Sequence, residues 1–334
     1  MKYVVTGAAG FIGSNFIKLL NDHGCFDIIA VDDFKSKDIK WKNVSDLIVR
    51  DFVTCNQFQK HTNEFLATKD VKLIYLGAHT DTRFSDCREI FRNNFQYQKQ
   101  IIRTALGTNT QVVYASSAAT YGDGRFGTAG SSGLDVWTMD FLNHLPSQNM
   151  YAWSKNMFDK HASINGWLDH KHSLSGIKIF NCYGPRENHK EHMRSFVYKA
   201  HDEIIDSGII HPWRRGTEED DLYFARDFIY VEDVCKVIYW LITKAERPHG
   251  LWNVGTGVAT RWNDAFLKVI TSMERFGYSG KLGPEIPVPE SFREGYQHYT
   301  RANNERLRSL GYNHKFKSIS EGIELTLDYI MNNK

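Results

Sequence analysis

Two side chains four residues apart are the first place to look for chemistry in this 334-residue chain: Tyr151 and Lys155, in Tyr151-Ala152-Trp153-Ser154-Lys155. On a helix that spacing sets a phenol and an ammonium on one face. A phenol titrating near ~10 is a poor base at neutral pH, but a neighbouring cation favours the phenolate, which can take a proton from an alcohol. The spacing alone is common on helix surfaces. Roughly thirty residues earlier, Tyr114-Ala115-Ser116-Ser117-Ala118-Ala119-Thr120-Tyr121-Gly122 leaves a β-type run, and the hydroxyl of Ser117 there would orient that alcohol.

Oxidising an alcohol also needs a hydride acceptor, and the N-terminus offers a place for one. Gly7-Ala8-Ala9-Gly10-Phe11-Ile12-Gly13 follows an apolar run and opens a helix, so Gly7, Gly10 and Gly13 let the backbone approach a pyrophosphate at the helix N-terminus. A glycine motif by itself is equally a tight turn. Asp32, about twenty residues on at the end of the second apolar run, is placed to accept hydrogen bonds from an adenosine ribose. Asp33 would repel a 2′-phosphate whereas Lys35 and Lys37 would attract one, so both NAD and NADP stay open, with the carboxylates favouring NAD. Leu76-Gly77-Ala78-His79-Thr80 ends another strand, and its small residues would let a dinucleotide lie across the sheet edge; His79 alone reads more readily as a packing residue.

The elements needed to hold these groups are visible. Tyr3 to Thr6, Asp27 to Val31, Lys72 to Leu76 and Gln111 to Ala115 read as strands, with helices from Phe11, near Gln57 to Ala67 and near Ile90 to Leu106 between them. That alternation predicts an α/β fold, a Rossmann-type doubly wound parallel sheet. Further helices are expected at Tyr151 to Leu168, Ser195 to Ile205 and up to Leu241, with a strand at Leu174 to Phe180. Past Gly257 the pattern turns irregular, with prolines at 284, 287 and 289 before two helices, around Glu305 and over Ser318 to Met331, which suggests a small substrate-covering unit rather than more sheet. The expected division is residues 1–180 with 224–256 as the NAD(P)-binding domain, and 181–223 with 257–334 as a smaller α/β substrate-binding domain. The segment Gly122 to Gly133 is the candidate mobile loop, and Glu218 to Asp221 reads as a solvated turn; no metal site is expected.

Composition narrows the partners. A formal charge of +2 with 24% charged residues gives no whole-molecule field for nucleic acid or a membrane surface, so an anionic substrate must be met locally. Five scattered cysteines suit free thiols in a reducing compartment, and no stretch reads as a signal peptide or reaches membrane-spanning length, so a cytoplasmic location is the default expectation.

Over nearly its whole length the chain resembles the extended short-chain dehydrogenase/reductases, the family of nucleotide-sugar epimerases and dehydratases. The resemblance is carried by Tyr114 to Gly122, Phe180-Asn181-Cys182-Tyr183-Gly184-Pro185-Arg186-Glu187-Asn188-His189-Lys190, Arg226-Asp227-Phe228, Asn253-Val254-Gly255-Thr256-Gly257 and Gly295-Tyr296-Gln297. The Arg-Glu-x-His-Lys run and the Gly-Tyr-Gln segment are narrower, and resemble the branch that epimerises ADP-linked glycero-manno-heptoses at C6. The resemblance implies a tightly held NAD(P), a nucleotide-diphosphate sugar as substrate, a homo-oligomer, and two acid/base groups, Tyr151 and Lys190. It also implies cofactor contacts at Phe11, Ile12, Asn93 and Cys182, and substrate contacts at Ser117, Asn181, His192, Lys199, Arg226 and Tyr296. Arg226 is the most persuasive chemically, since a guanidinium pairs bidentately with diphosphate oxygens. Without the family pattern Lys190 would read as a solvated charge beside His189, and Arg226-Asp227 as an ion pair.

The resemblance leads one to expect serine at His192 and histidine at Lys199, and there are extra residues around Gly124 to Asp140 and Glu218 to Leu222, all on the substrate side. A 4,6-dehydratase needs an Asp-Glu pair where this chain has Ala118 and Ala119, which argues against that chemistry. A UDP-hexose 4-epimerase uses the same Ser-Tyr-Lys set, but has no need of a second base at Lys190. A dinucleotide-binding protein without catalysis would leave Ser117, Tyr151 and Lys155 without a purpose.

Overall fold

The structure, a computed structural model, describes residues 1–68, 70–78, 86–122, 139–169, 172–214, 224–288 and 297–333. Its centre is built from β1 (Lys2–Thr6), β2 (Ile28–Val31), β3 (Asp51–Val53), β4 (Val71–Tyr75), β5 (Gln111–Ser117), β6 (Leu174–Ile179) and a last strand, Gly250–Val254. Most residues of these strands are buried because helices cover both faces of the sheet. All pairings are parallel, and the order from one edge is Gly250–Val254, β6, β5, β4, β1, β2, β3. The chain therefore runs outward from β1 to β3, then crosses back to β4 on the other side. The carboxyl ends of β1 and β4 flank the point where the winding reverses, which is where such sheets bind ligands.

One face is covered by α1 (Phe11–Asp22) and the helix Val231–Thr243, whose Val234, Val237, Ile238 and Leu241 pack with Phe16, Ile17 and Leu20. The opposite face carries the helix that begins at Cys87–Phe91, passes through a π-turn at Arg92–Tyr97 and continues as α2 (Gln98–Gly107), followed along the chain by α3 (Met150–Ile164). A second apolar cluster gathers α4 (Phe196–Ser207), α5 (Trp262–Met273) and α6 (Ile319–Asn332) against a three-stranded sheet. In that sheet β7 (Asn181–Tyr183) runs parallel to β8 (Ala225–Tyr230), and β9 (Ala259–Arg261) runs antiparallel to it.

Several elements differ from the sequence reading. The third and last strands of the large sheet were not anticipated, and the region past Gly257 holds more sheet than expected: β9, and the two-residue strands Lys281–Leu282 and Ile286–Pro287, which pair with Ile209–Ile210 and Trp213–Arg214. Strands of two or three residues are too short for alternation to register in a sequence. The helix expected over Gln57 to Ala67 is two, Cys55–Lys60 and Thr62–Leu66, and α3 stops at Ile164, ahead of Gly166 at φ +67°. The loop beyond Gly122 and the run Glu218 to Asp221 lie outside the described residues.

Candidate active site

Ser117 is the last residue of β5, and its hydroxyl accepts from Ala119 N at 3.1 Å, capping a single 3-10 turn over Ala118–Tyr121. Tyr151 stands in the first turn of α3, which Asn149 caps by accepting from Ala152 N at 2.9 Å. The two caps bring the Ser117 and Tyr151 side chains close enough for the hydroxyl to influence the phenol. Lys155, one turn on, is 2% exposed and donates from Nζ to the Ala115 carbonyl at 2.8 Å, on the same strand as Ser117. Burial pulls its ammonium down to about 8. For Tyr151 the expectation needs correcting: burial raises the phenol, and the influence that opposes it is the Ser117 hydroxyl rather than Lys155. A missed residue braces this set: buried Asn94, inside the π-turn, donates to Ser154 Oγ at 3.0 Å, and Ser154 Oγ donates to Tyr151 O at 2.7 Å. Its partly buried neighbour Asn93 was the residue named from sequence. Asn93 was reached only through the family resemblance; two adjacent asparagines inside a helix are a signal that could have found Asn94.

The glycine turn has the shape its spacing predicts. Gly7 lies at φ +67°, and a Cβ on it would stand 2.9 Å from Gly77 N. A Cβ on Gly13 would collide with the Gly7 carbonyl oxygen, so α1 can sit this close to β1 only with glycine there. The N-cap residue Gly10 has no side chain to occupy the helix N-terminus, which leaves its N–H groups aimed at an anion. Phe11 and Ile12 follow in the first turn of α1. Asp32 accepts from Ala9 N at 2.9 Å, and Asp33 accepts from Cys55 N at 3.0 Å. Leu76 N and Gly77 N both donate to Thr6 Oγ1, at 3.1 and 3.2 Å, which ties the end of β4 to that of β1, with Ala78 just beyond. Lys35 is exposed; the lysine that reaches Asp32 is Lys40, at 2.9 Å, from the 3-10 turn Ile39–Asn43. A carboxylate at the end of β2, an uncapped helix N-terminus and a turn only glycine can make fit a dinucleotide. His79 and Thr80 lie outside the described residues.

Lys190 is not a solvated charge. Its Nζ sits 2.7 Å from Glu187 Oε2 and 4.6 Å from the centre of the Phe11 ring, beside the start of α1. Glu187, not anticipated from sequence, is fully buried and also accepts from Gly184 N at 3.1 Å and Ser195 N at 2.9 Å. Next to Lys190, His189 Nδ1 meets Asn43 Nδ2 at 2.9 Å, and Arg186 grips both Asp46 oxygens, at 2.9 and 2.7 Å, and the Asn43 carbonyl. The segment bearing Lys190 is thereby clasped to the segment that follows Asp32.

Asn181 and Cys182 lie side by side on β7; Asn181 Oδ1 accepts from Thr300 Oγ1 at 3.0 Å, and burial pushes the Cys182 thiol well up. Arg226 is buried on β8, its guanidinium 5.6 Å from the Phe224 ring centre. Asp227 is occupied elsewhere: its carboxylate accepts from Thr256 N and Oγ1, Gly257 N and Ala302 N, at 2.6 to 2.9 Å. Gln297 Nε2 donates to Ala118 O at 3.0 Å, bringing the 297–302 segment to the end of β5. His192 and Lys199 are exposed, on the turn after Lys190 and on α4. Tyr296 lies outside the described residues.

Fold and glycine turn together point to a dinucleotide-dependent enzyme, and the structure brings Ser117, Tyr151 and Lys155 together at the end of β5. The chain belongs to the NAD dependent epimerase/dehydratase family, whose model matches residues 3–255. It is 36% identical over 325 residues to the ADP-L-glycero-D-manno-heptose-6-epimerase of Nitratidesulfovibrio vulgaris (strain DP4), covering 96% of this chain and 95% of that one. Among solved structures, the ADP-L-glycero-D-manno-heptose-6-epimerase of Helicobacter pylori superposes with a TM-score of 0.76 at 21% identity, covering 99% and 96% of the two chains. The Thermus thermophilus UDP-glucose 4-epimerase in complex with NAD gives 0.75 at 21% identity, with both chains fully covered. These superpositions establish the fold, and the family is NAD dependent.

Proposed function

We propose that this chain is a nucleotide-sugar epimerase that inverts C6 of an ADP-linked glycero-manno-heptose with no net oxidation. NAD, when bound, supplies a hydride acceptor that also gives the hydride back. The chain's own residues manage protons and orientation. Ser117 aligns the reacting hydroxyl, and Tyr151 takes its proton or returns it. Lys155, charged at neutral pH even after burial, offers donors to a ribose. Rotation about C5–C6 presents the opposite face of the carbonyl, and Lys190 serves the oxygen in that second orientation.

The observation that carries this reading is the position of Lys190, held 4.6 Å from the Phe11 ring centre, so that a second proton-carrying group flanks the glycine turn. The 36% identity to a named heptose epimerase over nearly the full chain supports the substrate class. Asn181, His192, Lys199, Arg226 and Tyr296 are proposed to hold the sugar and diphosphate, and the glycine turn, Asp32, Leu76 to Thr80, Asn93 and Cys182 the cofactor. Residues 1–180 with 224–256 would form the cofactor domain, 181–223 with 257–334 the substrate domain, and the working enzyme a homo-oligomer.

Incubating the purified protein with ADP-heptose of one C6 configuration and following the sugar by NMR tests the proposal. Exchange to the other C6 isomer is expected. No exchange, with UDP-galactose converted to UDP-glucose instead, would replace it with C4 epimerisation.

A further inference from the structure

One helical turn behind Lys155 lies a buried ion pair that the reaction as described does not use. Asp159 Oδ2 and Lys178 Nζ are 2.6 Å apart, and neither side chain is more than 2% exposed. Every charged atom is matched. Asp159 Oδ1 accepts from Tyr114 OH at 2.8 Å and Oδ2 from Ser116 Oγ at 2.6 Å, while Lys178 Nζ also donates to Thr120 Oγ1 at 2.8 Å and lies 5.3 Å from the centre of the Tyr121 ring. Removing two charges from water costs so much that a well-packed apolar pair of the same volume is often as stable, so stability alone is a weak reason for this one.

Its connections point to the catalytic set. Tyr114 and Ser116 belong to β5, whose next residue is Ser117; Lys178 is the register partner of Ser116 on β6; and Asp159 follows Lys155 at i+4 on α3. The pair thus fastens the strand carrying Ser117 to the helix carrying Tyr151 and Lys155. We infer that Asp159 and Lys178 are positioning residues for Lys155: Asp159 holds the buried amine as an ammonium, and Lys178 limits that pull. The inference rests on the proposed function only in taking Lys155 as the partner of Tyr151, and holds whatever the sugar.

The electrostatics agree in sign. Burial lowers Lys155 and Asp159 raises it. Asp159 is the charged group that acts on Lys155, and it is itself held by Tyr114 OH from β5 at 2.8 Å and Lys178 Nζ from β6 at 2.6 Å, while from the π-turn the neutral amide of Asn94 meets Ser154 on the same helix. Lys178, bound to the Asp159 carboxylate, acts on Lys155 through it.

The test titrates Lys155 directly in the NAD-loaded protein without substrate, from the NMR shift of its labelled Cε, assigned by loss of the signal in Lys155→Met. Asp159→Asn is expected to lower the midpoint by about one pH unit or more, and Lys178→Met to raise it, since opposite and like charges within this range move a pKa by roughly 1–3 units. Asp159→Glu, which keeps the charge and suits a fold that rejects the amide, is expected to stay within about half a unit of the parent. Midpoints that move the same way in Asp159→Asn and Lys178→Met, or in neither, overturn the inference. Because no sugar is present, that failure leaves the epimerase reading standing, and a failed sugar assay leaves the titration intact.

Discussion

Tyr151 grows from the first turn of a 15-residue helix packed on the central sheet, whereas Lys190 sits in a six-residue 3-10 segment interrupted by Glu191 at φ +46° and preceded by Arg186 at φ +71°. Around Tyr151, support comes from the strand frame: Ser117 at the end of β5, Lys155 on Ala115 O, and Asn94 through Ser154. Around Lys190 it comes from one buried carboxylate, Glu187, and from the clasp of Arg186 and His189 onto residues 43–46. Non-glycine residues at positive φ persist only where their surroundings impose it. The contrast suits the proposed reaction, in which Tyr151 would stay fixed beside the cofactor while Lys190 would meet a sugar that has turned. It also separates the ways in which the two can fail.

The largest effects should come from removing the two proposed proton carriers. Tyr151→Phe is expected to cut turnover by roughly 10²–10⁴-fold, the usual worth of a positioned acid or base, with cofactor content unchanged. Lys190→Met should cost at least about 10²-fold, again with the cofactor retained. Turnover by NMR and bound cofactor by absorbance check both. A Lys190→Met protein as active as the parent would end the two-base assignment while leaving Tyr151 in place, and the comparison would reduce to a single base.

The same contrast marks what could be read in advance. Ser117, Tyr151, Lys155, the glycine turn and Asp32 were legible because each belongs to a short motif whose spacing is set by one helix turn or one strand end. Lys190 was legible only through resemblance, since nothing local distinguishes it from a surface lysine. The groups that hold these residues were not legible. Asn94 to Ser154 spans 60 positions, Tyr114 to Asp159 spans 45 and Asn43 to His189 spans 146, and no local pattern encodes such meetings. Lys40 was passed over for Lys35 because proximity in sequence was the available guide, whereas the 3-10 turn at Ile39–Asn43 carries the later lysine back to Asp32. For the fold, most of the long buried strands declared themselves and the short ones did not, the exception being the five-residue Gly250–Val254.

Next in size is the support of Lys190. Glu187→Ala leaves the Gly184 and Ser195 amides without their acceptor, and an unpaired buried donor costs about 1–3 kcal/mol, so a loss of roughly 2–4 kcal/mol in urea unfolding is expected. Glu187→Gln keeps one carbonyl oxygen and should lose less. If Glu187→Ala were as stable as the parent, the Lys190 segment would be held by something other than this carboxylate.

The smallest effect expected is a pH dependence confined to the clasp. His189 is pushed down to about 4 by burial and by the nearby charges of Lys190 and Lys40. The geometry gives the same sign: the Asn43 amide nitrogen donates to Ala9 O at 2.9 Å and faces His189 Nδ1, which must therefore be an acceptor and unprotonated. Above pH ~6.5 the histidine is neutral folded or unfolded, and its contribution is fully present. As pH falls from there toward about 4 the unfolded chain binds a proton that the folded one refuses, so stability declines through that window. Asp46, which its bonds to Arg186 hold below the usual carboxylate range, gives way only at more acid pH, so the two halves of the clasp separate along the pH axis. Urea midpoints between pH 7 and 4.5 in the parent and in His189→Leu check this: the mutant should show a shallower decline, and equal slopes would place the acid sensitivity elsewhere in the molecule.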